Sequence, residues 1–256
     1  MRAFFGVSAL LFVASTALTT LWCGSMSAMG TMPMPGGWSM SMAWMRMPGQ
    51  SWPGAAASFV GMWIVMMVAM MLPSLVPMLW RYRQAAARTG DAGLGWLIAL
   101  VGVGYFFVWT AVGIVAFLLG GVLATVEMRQ FLFSRAVSIA AGVVLLIAGA
   151  FQFTAKKKHC LACCREVPGD SRTLLADAGT AWRCGLRLGV HCTCCCAGLT
   201  AILLVMGVMD LRAMGAVTAA ITSERLAPAG ERVARAIGTV VIGAGLFLIA
   251  RATGLG

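Results

Sequence analysis

Two short stretches of the chain hold most of its thiols and both of its imidazoles. One reads KKKHCLACC at 156–164, the other reads HCTCCC at 191–196, and together they contain seven of the nine cysteines. Thiolate sulfur selects Cu(I) and zinc, and imidazole nitrogen binds copper and zinc as well. The two stretches therefore predict soft-metal binding, with thiol–disulfide redox chemistry as the alternative.

The first stretch has its ligand types at close spacing. It offers an H-C-x2-C-C pattern, made by His159, Cys160, Cys163 and Cys164. A single turn can aim several such ligands at one ion. The neighbouring lysines and Arg165 favour the thiolate form that binds metal. Transient soft-metal binding and a structural zinc site both remain open at this point.

The second stretch gives the strongest site signal in the chain. On a helix, Cys184, Cys192 and Cys195 share one stripe. One or two buried cysteines would be ordinary small hydrophobic residues, but four in five positions beside a histidine exceed what packing requires. The candidate ligands are Cys184, His191, Cys192, Cys194, Cys195 and Cys196.

Methionine is concentrated in residues 26–48, which contain eight of the chain's 19 methionines. A thioether does not titrate and binds Cu(I) where a thiol would be oxidised. The candidate ligands in this segment are Met40, Met42, Met45 and Met47. The alternative is that its methionines and tryptophans pack onto a membrane interface.

A second group of methionines lies in the apolar run MWIVMMVAMML. Met62, Met66 and Met70 fall on one helical stripe, which continues to Pro73 and Pro77. A ladder of thioethers beside a proline kink could pass a soft ion along the helix. Ordinary packing by methionine is the alternative.

Composition indicates a membrane protein. The chain is 61% hydrophobic and 11% charged, whereas soluble domains are about 25% charged. Its long apolar runs lack the alternation of a barrel, so the predicted fold is all-α, a polytopic transmembrane helical bundle with a proline-kinked second span. The predicted spans are 3–23, 56–80, 93–120, 133–155, 184–209 and 234–253. Gly185 and Gly189, at GxxxG spacing, predict close approach of another helix.

Three regions follow from these spans. Residues 1–23 form the first transmembrane span, 24–55 a Met-rich periplasmic loop, and 56–256 a helical membrane domain with a cytoplasmic Cys-containing loop at 156–183. The net charge of +11 is concentrated at segment ends, including Lys157 and Arg225. This is the positive-inside pattern, which favours the lipid bilayer of a bacterial inner (cytoplasmic) membrane as partner and excludes nucleic acid.

Three stretches together resemble a known family. They are MWIVMMVAMMLPSLVPML, FQFTAKKKHCLACCR, and the run from AWRCGLRLGVHCTCCC through LLVMGVMDLRAM. They are similar to a bacterial family of predicted metal-binding integral membrane proteins, a domain-of-unknown-function family, over roughly residues 55–250. The resemblance implies a proline-broken methionine-rich span, a paired-cysteine loop and a glycine-flanked cysteine cluster. The positions implied are Met66, Met67, Met70, Met71, Pro73, Pro77, Cys160, Cys163, Arg165, Gly185, Gly189, Cys192, Cys195 and Cys196.

These observations favour a Cu(I)-binding membrane protein that acts in copper transfer, transport or delivery to a copper-dependent enzyme or periplasmic chaperone. Zinc or another soft metal would suit the same ligands. The sequence has neither a P-loop motif nor any sizeable soluble domain, so a metal ATPase is excluded, and no catalytic residue is assigned. The alternatives are a membrane thiol–disulfide oxidoreductase and a structural or assembly subunit with zinc or no metal.

Overall fold

The computed structural model describes residues 2–28, 32–33, 39–40, 51–86, 93–129, 134–165 and 177–253. Side chains are described at 2–25, 51–86, 93–122, 139–164 and 177–253. Within these residues the chain forms eight α-helices and one antiparallel pair of two-residue strands. The prediction of an all-helical fold is confirmed.

Ten elements are described along the chain. In chain order they are α1 (Arg2–Ala28), β1 (Met32–Pro33), β2 (Ser39–Met40), α2 (Trp52–Ala86), α3 (Leu94–Arg129), α4 (Ser134–Phe151), α5 (Ala155–Arg165), α6 (Ala178–Met206), α7 (Leu211–Leu226) and α8 (Gly230–Thr253). In the strand pair, Met32 lies opposite Met40.

Five helices of the described residues, α1, α2, α3, α6 and α8, are long and apolar enough to cross a membrane. The pair α4 and α5 makes a sixth candidate if it is one span, although the two helices are bent by 67°. The sequence predicts a loop from residue 156, whereas residues 155–165 are helical. Likewise α7 occupies part of the region predicted to connect the last two spans.

Polar residues define where the helices around the cysteines begin. The Thr154 hydroxyl accepts a hydrogen bond from the Lys157 backbone N–H at 3.2 Å and so starts α5. Asp177 caps α6 by accepting from Gly179 N. Asp210 caps α7 by accepting from Arg212 N at 2.8 Å. The Asp210 carboxylate therefore serves to begin a helix.

Close packing of α3 on α6 depends on glycine. A Cβ at Gly185 would clash with the Val101 carbonyl oxygen, and one at Gly189 would lie 2.9 Å from the Tyr105 carbonyl oxygen. The close approach predicted from the GxxxG spacing is confirmed for this helix pair. It brings Tyr105 of α3 against the cysteine-rich part of α6.

Helix α2 supplies much of the core. Its methionines at 62, 66, 67, 70, 71 and 78 are all buried, so packing among the helices accounts for them better than contact with lipid. Pro73 and Pro77 lie inside α2, which continues to Ala86, and the kink at these prolines stays a prediction. The buried methionines and most of the cysteines belong to a single hydrophobic core.

Candidate metal centre

Helix α5 packs on α6, and this contact brings nearly all the predicted thiol and imidazole ligands together. They separate into two groups by burial. The inner thiol cluster comprises Cys164, Cys192, Cys195 and Cys196, each no more than 2% exposed. The outer group comprises His159, Cys160, Cys163, His191 and Cys194, four of which are partly or fully exposed.

The inner thiol cluster is continuous across the two helices. The Cys192 and Cys196 sulfurs lie 3.9 Å apart, one helical turn from each other. Cys195 lies near both Cys196 and Cys164. Since Cys164 comes from α5 and the others from α6, the cluster depends on how these helices pack. All nine cysteines of the chain are free.

Polar side chains from two other helices contact the Cys192 sulfur. The Tyr105 hydroxyl lies 2.9 Å from the Cys192 sulfur. Arg225 of α7 donates from Nη1 to the same sulfur at 3.4 Å and to the Ser74 hydroxyl at 2.8 Å. The guanidinium therefore joins α2, α6 and α7 at the cluster. Hydrogen bonds from charged donors to sulfur favour the thiolate, the form that binds metal.

A buried ion pair between Lys157 and Glu224 contacts the backbone of the inner thiol cluster at Cys195. Lys157 Nζ donates to the Cys195 carbonyl oxygen at 2.7 Å and to Glu224 Oε2 at 2.6 Å. Burial raises the pKa of the Glu224 carboxyl above its ordinary value, although Lys157 acts in the opposite direction. The prediction that Lys157 and Arg225 are flanking topology charges is wrong, because both side chains are buried against protein partners.

A cleft of about 230 Å³ reaches the inner thiol cluster from the surface. Its lining residues are Ser74, Pro77, Met78, Arg81, Cys164, Arg225, Leu226, Ala227 and Pro228. Cys164 and Arg225 thus face the cleft on one side and the buried thiols on the other. A thioether from Met78 and a thiol from Cys164 offer sulfur along this path, which could let a soft ion reach the cluster.

The outer group lies along the more exposed face of the same helix contact. The Cys163 sulfur lies 3.6 Å from His159 Nε2. Cys160 lies near Cys194, and His191 lies near His159. The group therefore offers both sulfur and nitrogen donors beside the inner cluster.

Other predicted ligands lie elsewhere. Cys184 is buried on α6 near Tyr82 of α2, about two turns before the inner thiol cluster. Met62, Met66 and Met70 are buried in the core, and their role as ligands stays a prediction. Met42, Met45 and Met47 lie outside the described residues, as does the side chain of Met40.

Several residues at the site carried no ligand prediction from the sequence. Tyr105, Ser74 and Glu224 are single polar residues in helical segments, and their spacing signals nothing. A further sulfur contact joins Cys23 of α1 to Met209, with 3.8 Å between the two sulfurs. Cys23 lies just before the Met-rich segment in the chain, and 186 residues separate it from Met209.

The geometry suits a pair of ligands better than a larger set. Within the described residues, no group of three or more His, Cys, Asp or Glu side chains converges to hold a metal ion as they stand. Metal–thiolate bonds are about 2.3 Å long for zinc. An ion held by both the Cys192 and Cys196 sulfurs, which lie 3.9 Å apart, would therefore need a bent sulfur–metal–sulfur angle.

Together, the apolar helices and the buried thiols define a helical protein with the ligands of a soft-metal binder. A family model described as PpoB2, copper chaperone, matches residues 60–248. The chain belongs to this copper chaperone family, which supports a copper-related and non-enzymatic role. The predicted resemblance to a metal-binding family is confirmed to the extent that the matched family is copper-related. Neither the curated proteins nor the solved structures contain a match to the chain.

Proposed function

We propose that this protein is an integral membrane protein that takes Cu(I) as its cargo and passes it on, by transport or by delivery to a copper-dependent enzyme. The observation that carries the proposal is the inner thiol cluster, in which thiols from α5 and α6 meet in the core beside an open cleft. Buried thiols with charged donors are typical of soft-metal ligands. Membership of the copper chaperone family supports the same metal.

The membrane location is part of the proposal. Five apolar helices of sufficient length support several passes through a bilayer. Their outward faces carry many large exposed hydrophobic side chains, such as Leu10, Phe107 and Phe247, which lipid would cover. The bacterial inner membrane remains the expected location, since copper-dependent enzymes of the periplasm would receive the ion there.

Transfer would proceed by exchange of sulfur ligands. Met78 and Cys164 line the cleft, and Cys164 is adjacent to Cys195. An ion could therefore move between overlapping sulfur sets with no bond to be hydrolysed, and binding would release thiol protons. The outer group, with His159 and Cys163 3.6 Å apart, would form a second stage.

The test is an anaerobic titration of the full chain in detergent with Cu(I), in competition with a chromogenic Cu(I) chelator. We expect the wild type to retain Cu(I) against the chelator and Cys196→Ser to lose most of that retention. Cys184→Ser is the matched control, because it removes a buried thiol of the same helix outside the cluster. Equal retention by the wild type and Cys196→Ser would contradict the proposal. A metal-free wild type that cycles a disulfide would indicate an oxidoreductase instead.

A further inference from the structure

The buried charges around the inner thiol cluster do not cancel. Lys157 is neutralised by Glu224 at 2.6 Å, and both side chains are 1% exposed. Arg225 is also buried, but no carboxylate of the described residues lies within salt-bridge distance of it. An arginine is always protonated in proteins. The site therefore contains one uncompensated positive charge.

Among the described residues, the side chains that accept a hydrogen bond from this guanidinium are one hydroxyl and one thiol. Arg225 Nη1 donates to Ser74 Oγ at 2.8 Å and to Cys192 Sγ at 3.4 Å. Tyr105 reaches the same sulfur from α3 at 2.9 Å, and Cys164 of α5 lines the cleft with Arg225. An unpaired buried cation is costly, and a sulfur that binds a metal as thiolate at Cys192 would place a negative charge beside this guanidinium.

We infer that Arg225 makes the inner thiol cluster selective for a monovalent ion over a divalent one. The inference rests on the proposed function. A bridging ion on Cys192 and Cys196, whose sulfurs are 3.9 Å apart, meets two thiolates with a joint charge of −2. With the guanidinium, these two bound ligands sum to −1 before the charge of the ion is added. A monovalent ion brings the site to zero, whereas a divalent ion leaves a net positive charge in a buried setting.

The number of sulfur ligands on the ion also affects the net charge of the site. A third thiolate would offset the extra charge of a divalent ion, but no three candidate ligands converge on one point among the described residues. Zinc favours four tetrahedral ligands, which the Cys192 and Cys196 pair does not supply. Charge and ligand number therefore act in the same direction and disfavour divalent ions.

The test compares affinities for Cu(I) and Cd(II) in full-chain variants, each measured by competition with a chelator for that metal. Arg225→Met removes the charge. Ser74→Asp keeps the arginine but supplies a carboxylate where its hydroxyl partner lies at 2.8 Å, at a position that lines the cleft. We expect both variants to lower the ratio of Cu(I) to Cd(II) affinity by roughly tenfold or more.

Two matched controls should keep the wild-type ratio. Ser74→Ala removes the same hydroxyl without adding a charge, and Arg225→Lys keeps the positive charge. Suppose that the wild type binds Cu(I) and that the affinity ratio is unchanged in both Arg225→Met and Ser74→Asp. That result would overturn the inferred role of Arg225 and leave the proposed function intact. A ratio lowered equally in Ser74→Ala would also overturn it, because the effect would then come from packing. Wild type that binds no Cu(I) would overturn the proposed function itself.

Discussion

The Lys157 ammonium lies 2.6 Å from the Glu224 carboxylate and 2.7 Å from the Cys195 carbonyl oxygen, and both side chains of the ion pair are buried. The pair thus joins α5 and α7 to the residue at the centre of the inner thiol cluster. Because charged partners substitute for water here, the pair fixes the arrangement of three helices.

Removing one partner of this pair should destabilise the protein. We expect Lys157→Met to lower the free energy of unfolding by about 3–5 kcal/mol, because Glu224 would be left buried without its cation. The double variant Lys157→Met/Glu224→Gln should recover part of the loss. Unfolding in mixed micelles, followed by circular dichroism, measures both.

The exposed pair of Lys158 and Glu231, 3.3 Å apart, supplies the control. Since both side chains are accessible to solvent, Glu231→Gln should change stability by less than about 1 kcal/mol. If Lys157→Met lowered stability no more than Glu231→Gln does, the structural role of the Lys157–Glu224 pair would be contradicted.

Close packing of α3 on α6 predicts a second effect. Gly185→Ala adds a Cβ against the Val101 carbonyl, so the helices must separate and Tyr105 must move away from Cys192. We expect a loss of folded protein or a marked fall in thermal stability, measured by size-exclusion chromatography in detergent after heating. Gly243→Ala is the control, because a Cβ there meets nothing within 4 Å. Equal stability of the two variants would show that the contact is not tight.

The Tyr105 hydroxyl, 2.9 Å from the Cys192 sulfur, should stabilise that sulfur when it binds metal. Tyr105→Phe removes one hydrogen bond and little else, so the Cu(I) dissociation constant should rise roughly twofold to tenfold. Competition with a chromogenic chelator measures it. Tyr82→Phe, at a buried tyrosine near Cys184, should leave the constant unchanged; a similar rise in both variants would argue against a specific role.

The outer group should affect the rate of loading more than the final affinity. His159 and Cys163 lie 3.6 Å apart on the more exposed face, outside the inner thiol cluster. We expect His159→Ala/Cys163→Ser to retain the wild-type amount of Cu(I) at equilibrium but to acquire it more slowly in stopped-flow measurements. A lower amount at equilibrium with an unchanged rate would instead make the outer group part of the final site.

Much of the architecture could be predicted because apolar length and glycine spacing are local properties. The runs in α2, α3 and α6 are long enough to read as spans, and Gly185 and Gly189 mark the α3–α6 contact. Helix α5 was missed, since KKKH is strongly polar and reads as a loop. Burial of Lys157 there depends on Glu224, which lies 67 residues away.

The ligand types could also be predicted, but not their grouping. Helical geometry places Cys160 one turn from Cys164, yet Cys160 lies near Cys194 in the outer group and Cys164 belongs to the inner thiol cluster, so the H-C-x2-C-C pattern is divided between two groups. The partners of Cys192 lie far away in sequence: Tyr105 is 87 residues distant and Arg225 is 33. Only the packing of helices brings such residues together.

Copper K-edge X-ray absorption on the full chain, loaded anaerobically with one equivalent of Cu(I), tests the central claim most directly. Cu(I) held by the inner thiol cluster should show a sulfur-only first shell, and Cys192→Ser/Cys196→Ser should abolish that shell while Cys184→Ser preserves it. A first shell of nitrogen or oxygen, or a sulfur shell unaffected by loss of Cys192 and Cys196, would contradict the account.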